Sequence, residues 1–171
     1  MHAQPQSPLP AANLGMQAAP SANPMAIDGF EFVEFAAPPG RAGELHDCFA
    51  RLGFVAIAGH RERTITVYRQ GDCTFLVNED PDSFAAAFAI RIGTLAEWAR
   101  TRALRNGAEE IGPRETSKAV AAPVIKGIGG CMLYLVDRYD AKGTIHDPDY
   151  EYLPGVDLMP KGFGLTFIDH L

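Results

Sequence analysis

Cys73-Thr74-Phe75-Leu76-Val77-Asn78 recurs in altered spelling as Met132-Leu133-Tyr134-Leu135-Val136-Asp137, 59 residues later. Each is a short apolar, β-prone run ending on Asn or Asp, as a buried strand would. Upstream of the first run, Leu52-Gly53-Phe54 closes an amphipathic stretch, and Asn106-Gly107-Ala108 does the same 54 residues on. Two matches at nearly one spacing mark a duplicated supersecondary unit.

The first copy reads outward from that run. Phe30, Phe32, Val33 and Phe35 predict a strand over 29–36, closed by Pro38-Pro39-Gly40. Leu45, Cys48, Phe49 and Leu52 share one face of a helix over 42–52, which Gly53 stops. Strands follow at 54–58, 64–69 and 73–78, joined by turns at 59–63 and at Gln70-Gly71-Asp72. The second copy has a strand at Phe88-Ala89-Ile90-Arg91-Ile92, a helix over 95–106, a short strand at 108–111, and a polar loop into a strand over 131–137. The expected fold class is α+β, two tandem βαβββ units forming a curved mixed sheet or half-barrel. One such sheet with a single helix leaves a face bare, and two copies cover each other's edges.

The rest of the chain frames this core. Residues 1–24 alternate Pro5, Pro8, Pro10, Pro20 and Pro24 with Ala, Gln, Ser and Asn, and read as a disordered tail that lacks the charge and apolar blocks of a secretory signal. Met25 could be the true start. Residues 25–153 form the expected domain, with units at about 27–80 and 84–139. Residues 154–171 read as a linker and the first strand of a further catalytic domain. With hydrophobic residues at 47% of 171 and a net charge of −6, a sizeable core is affordable and a nucleic-acid partner is not indicated. No apolar run has the length of a membrane span. Cys48, Cys73 and Cys131 each lie in an apolar segment and read as buried thiols of a reducing, cytoplasmic compartment.

The closing run, Gly164-Leu165-Thr166-Phe167-Ile168-Asp169-His170-Leu171, alternates like a strand and delivers an imidazole at its end. Several words of the chain, in order, resemble the 4-hydroxyphenylpyruvate dioxygenases of the vicinal-oxygen-chelate (glyoxalase-type) superfamily. They are the run from Asn23 to Phe35, Arg69-Gln70-Gly71-Asp72 with Val77-Asn78-Glu79, the run from Ala122 to Gly130, Tyr134 to Tyr139, and Gly164 to Leu171. The likeness runs from about Asn23 to Leu171 and covers only the amino-terminal half of that family's enzymes.

The resemblance implies a non-haem Fe(II) site built from two His and one carboxylate, which leaves positions open for an α-keto acid and O₂. It implies conversion of 4-hydroxyphenylpyruvate and O₂ to homogentisate and CO₂ in tyrosine catabolism, by a homo-oligomer. By the family's pattern His170 is the first iron ligand. The second His and the Glu fall outside this sequence, so this chain alone is expected to be inactive. The alternatives are a 4-hydroxymandelate synthase of the same family, or a non-catalytic small-ligand or assembly module. The family also carries additional residues between Ser83 and Ile92, so the first strand of the second unit is expected to be shortened or mispaired.

Other residues carry structural readings. His46 and His60 read as surface side chains, and His146 as part of a turn with Asp147-Pro148-Asp149. Gly127-Ile128-Gly129-Gly130 reads as a bulge or close approach before a core strand. Trp98 reads as packing or an intersubunit contact, and Asp137-Arg138 as a structural ion pair.

Overall fold

The computed structural model describes residues 23–38, 40–81, 86–112 and 116–171. The expected tail up to residue 22, and Ser83 and Phe84, lie outside the described residues. The elements run β1 (Ile27–Ala36), α1 (Ala42–Arg51), β2 (Val55–His60), β3 (Ile65–Gln70), β4 (Cys73–Asn78), β5 (Ala87–Ile92), α2 (Ala96–Arg105), β6 (Val124–Lys126), β7 (Met132–Val136) and β8 (Tyr150–Tyr152). Together the strands form one open mixed sheet, in the order β6-β7-β5-β1-β4-β3-β2-β8.

The duplication inferred from the spelling is a symmetry of pairing. β1 lies parallel to β4, with Val33 opposite Phe75, and β5 lies parallel to β7, with Phe88 opposite Leu133. β1 and β5 join the units antiparallel at the centre. The first strand of the second unit is therefore formed and paired on both sides, but it is shortened as expected, six residues against ten in β1, and its ladder with β1 shifts register twice. Both helices end in the same way. Phe54 N–H returns to the Phe49 carbonyl, and Ala108 N–H to that of Ala103, a glycine-type helix stop repeated with the unit.

Alternation along the strands sends neighbouring residues to opposite faces. On one face α1 packs Phe49 against Phe35, Tyr68, Phe75 and Val77, while α2 packs Ala96 and Ala99 against Ile90, Ile92, Leu133 and Leu135. On the other face lies the main cluster, from Phe32, Val67, Leu76 and Ala89 to Tyr134 and Val136. Ile111, Ala119, Val120 and Ile145, together with Tyr150 of β8, cover it.

Several expectations need correction. The closing run 164–171 forms no strand, because its backbone meets a turn and a side chain rather than a free sheet edge. The strand at 108–111 shrinks to one bridge, Glu110 to Ile125. A strand absent from the reading, β8, pairs antiparallel with β2 and covers that edge. Cys48 is exposed and Cys131 half-buried, leaving Cys73 as the buried thiol. Leu52 is also exposed, so the apolar face of α1 is narrower than its spacing suggests.

His46 is not a bare surface residue. Its ring sits 2.7 Å from the Tyr68 hydroxyl and 3.1 Å from Glu79. Asp137 does not serve Arg138. It accepts the Ala96 N–H at 2.8 Å and so caps α2 from the end of β7. The close approach expected of the glycine run is present at Gly127, where a Cβ would lie 2.6 Å from Cys131 Sγ.

Candidate functional site

His170 stands at the end of a segment anchored along most of its length. The anchor is the β3–β4 turn, Gln70-Gly71-Asp72. Gly71 N–H donates to the Pro160 carbonyl at 2.8 Å, and Asp72 N–H to that of Thr166 at 3.1 Å. Between these, the Gln70 side-chain oxygen accepts the N–H groups of Phe163 (2.6 Å) and Leu165 (3.1 Å). The amide nitrogen of the same side chain donates to the Leu52 carbonyl beyond the end of α1, at 2.9 Å. Farther along, Ile168 packs into the aromatic cluster under α1.

Past Ile168 the chain turns outward. The His170 side chain is 87% exposed. Its Nδ1 lies 3.0 Å from Asp169 Oδ2, and the Asp169 side chain is itself 78% exposed. Phe163, Leu165, Phe167 and Leu171 are exposed alongside it. Of the ligand set that the resemblance implies, the described residues supply this one imidazole. Among them no group of three or more His, Cys, Asp or Glu side chains could hold a metal ion. The residues present therefore fit one corner of a facial site and no more.

The turn that anchors this segment is itself tied to the second unit. Arg91 on β5 donates to both Asp72 oxygens, at 2.7 and 3.0 Å, and to Glu31 on β1 at 2.5 Å. Burial pushes the Glu31 carboxyl up, while the hydrogen bond from Arg91 holds the more exposed Asp72 down. The cluster lines a cavity of about 470 Å³ with Arg69 and Tyr139. Sequence spacing gives no hint of it, because Glu31, Asp72 and Arg91 are far apart along the chain.

A second polar group lies inside the main cluster. Glu34, fully buried on β1, accepts hydrogen bonds from Asn78 (2.7 Å) and Ser117 (2.8 Å). The Ser117 hydroxyl also meets that of Tyr134 at 2.9 Å. Burial raises the Glu34 carboxyl and pushes Tyr134 up to about 12. His146, read as a turn residue, is buried between Phe32 and Tyr150. Among the described residues neither ring nitrogen has a hydrogen-bond partner, and burial lowers its pKa to about 4. His60 is half-buried on β2 and accepts the Glu62 N–H.

Among the described residues no helix is long and apolar enough to cross a membrane. Residues 21–151 match the family model described as hydroxyphenylpyruvate dioxygenase, HPPD, N-terminal. The chain is 40% identical over 163 residues to a 4-hydroxyphenylpyruvate dioxygenase of Pseudomonas sp. (strain P.J. 874), covering 87% of this chain and 44% of that one. It is 41% identical over 167 residues to Hemolysin VllY of Vibrio vulnificus, covering 87% and 45% respectively. A solved xylose isomerase-like TIM barrel/4-hydroxyphenylpyruvate dioxygenase fusion protein superposes with a TM-score of 0.65 at 27% identity, over 77% of this chain and 22% of that one. The chain thus spans under half the length of the relatives it matches.

Proposed function

This chain belongs to the family of hydroxyphenylpyruvate dioxygenase amino-terminal domains, and from that premise we propose that it forms the amino-terminal part of a non-haem Fe(II) dioxygenase. The reaction is the conversion of 4-hydroxyphenylpyruvate and O₂ to homogentisate and CO₂, a step of tyrosine catabolism carried out in the cytoplasm by a homo-oligomer. The ferrous ion, when bound, supplies keto-acid chelation and O₂ activation.

The residues of this chain have three tasks in that reading. His170 offers Nε2 as one ligand. Asp169 accepts the Nδ1 proton and so holds the ring in the ligating tautomer. The paired units supply a rigid body from which this ligand projects. The remaining His and the carboxylate come from residues outside this sequence, so the chain by itself does not turn over. One observation carries the reading: residues 21–151 match the amino-terminal family model of hydroxyphenylpyruvate dioxygenase, and the segment that bears His170 is anchored to that domain.

The experiment is complementation. This chain is co-expressed with a separately encoded carboxy-terminal half of the Pseudomonas relative, and homogentisate is measured. The relative's own enzyme, split at the equivalent point, is the control. Homogentisate from the mixed pair supports the reading. Accumulation of 4-hydroxymandelate instead assigns the alternative chemistry of the same family. No product from the mixed pair, while the control pair is active, favours a non-catalytic module.

A further inference from the structure

Gln70 is fully buried, yet it ends a surface turn. A buried primary amide has two donors and one acceptor oxygen to satisfy, and it costs stability wherever they are left unpaired. Here the oxygen takes two backbone N–H groups from one segment, Phe163 and Leu165, and the nitrogen gives to Leu52 on another. Those two N–H groups converge on one oxygen because the chain turns there: Gly164, between them, has φ +97, and its N–H returns to the Lys161 carbonyl at 3.1 Å. The side chain therefore closes this turn from inside, as a backbone carbonyl would. It captures residues 163–165 where no strand is free to pair with them.

The backbone around it is shaped for the same contact. Gly71 has φ +55, and a Cβ there would lie 2.5 Å from the Leu165 carbonyl oxygen. Gly162 has φ +49, and a Cβ there would collide with the Gln70 side chain. Both positions favour glycine twice over, through positive φ and through lack of room. Asp72 then takes Thr166, and Ile168 fills the cluster beneath α1. The last of these holds lies two residues before His170.

We propose that Gln70 is a positioning residue: its side-chain amide seats residues 163–165 and so sets where the His170 imidazole is presented. This rests on the reading of His170 as a ligand, but its first test does not require iron. The 171-residue chain is labelled with ¹⁵N, and amide exchange is followed at Phe163, Leu165 and Ile168, with Val67 and Leu76 as sheet references. Gln70→Met keeps the bulk and loses all three hydrogen bonds. Gln70→Glu keeps the accepting oxygen. Gly162→Ala leaves Gln70 in place and forces the segment off it, so the test survives if Gln70→Met fails to fold.

The expected result is exchange at Phe163 and Leu165 faster by roughly tenfold or more in Gln70→Met and Gly162→Ala. The sheet references stay unchanged, and Gln70→Glu restores much of the protection. Unchanged exchange at Phe163 and Leu165 in Gly162→Ala and in folded Gln70→Met overturns the proposal. So does a loss of protection spread evenly through the sheet.

A second readout is iron retained by the complemented pair. Gln70→Met is expected to lower iron affinity on the order of 10-fold, the scale seen for residues that orient a ligand. His170→Ala separates the two claims. If that variant retains iron as the parent does, the ligand reading falls, while the seating by Gln70 is still judged by exchange.

Discussion

The two units share a topology and differ in how they are filled. In the first, three full strands follow the helix, and α1 rests on rings: Phe49 stacks on Phe75 at 5.1 Å and 13°, with Phe35, Phe54 and Tyr68 around them. In the second, β6 has three residues and its outer neighbour is a single bridge. There α2 buries two alanines, while Trp98 lies half-exposed beneath the Arg102 guanidinium at 5.4 Å. Duplication thus preserves strand order and pairing direction, and the packing beneath each helix diverges. The segment that bears His170 is seated on the better-packed unit, through Gln70 and Ile168.

Helix truncations are the harshest way to break that comparison. Phe49→Ala should cost about 3–5 kcal/mol in urea unfolding, as removal of a buried ring does. It should also loosen residues 163–168, because Ile168 packs in the same cluster. A cost near that of a surface change would mean the aromatic face of α1 is not what holds the first unit together.

The next effect comes from the face that both units share. The folded pKa of His146 is lowered to about 4 from 6.5. Below pH 6.5 the unfolded chain takes up a proton that the folded chain refuses. Stability is therefore whole above 6.5 and is lost as pH falls toward 4, by about 3 kcal/mol. Glu34 and Glu31, raised by burial, act in the opposite sense, losing stability as pH rises through their unfolded range. The difference between the parent and His146→Phe isolates the histidine. His146→Phe should flatten the slope between pH 6.5 and 4, and unfolding midpoints across that range check it. An unchanged slope would show that the ring finds a partner in solution.

Arg91→Met removes the side-chain tie between the units, leaves the β1–β5 ladder in place, and leaves Glu31 buried without its Arg91 partner. A loss of about 2 kcal/mol is expected, less than for a fully buried pair because Asp72 is well exposed. Thermal unfolding should then show whether the second unit separates from the first. The smallest effect belongs to Trp98→Ala, at about 1 kcal/mol or less. A larger cost, or a change in apparent mass on gel filtration, would place that ring in an interface between copies.

The duplicated run made the fold legible. The spelled match is one residue out of register, aligning Phe75 with Tyr134, whereas Leu76 and Tyr134 share the main cluster and Phe75 faces α1; the strands themselves occupy matching places in the sheet. What was not legible depends on contacts between distant residues. Tyr150-Glu151-Tyr152 is too short to show a period, and it becomes a strand only because β2 offers an edge. The closing run has the alternation of a strand, but strand identity requires a partner, and its partners are a turn and a glutamine. His146 does lie in a turn, as its polar neighbours suggest, but they give no sign that its ring is buried. Its burial follows from the packing of Phe32 and Tyr150, which local sequence does not encode. His170 was identified through resemblance, and local spacing alone does not mark it. The clamp that seats its segment was hidden in Gln70, which looked like an ordinary turn residue.

The most direct test is to compare the parent chain with His170→Ala in the complemented pair, measuring bound iron and homogentisate together. The account predicts that the parent pair retains iron and forms homogentisate, and that the variant pair loses both while this chain stays folded. Homogentisate formation by the variant at the parent rate would contradict it.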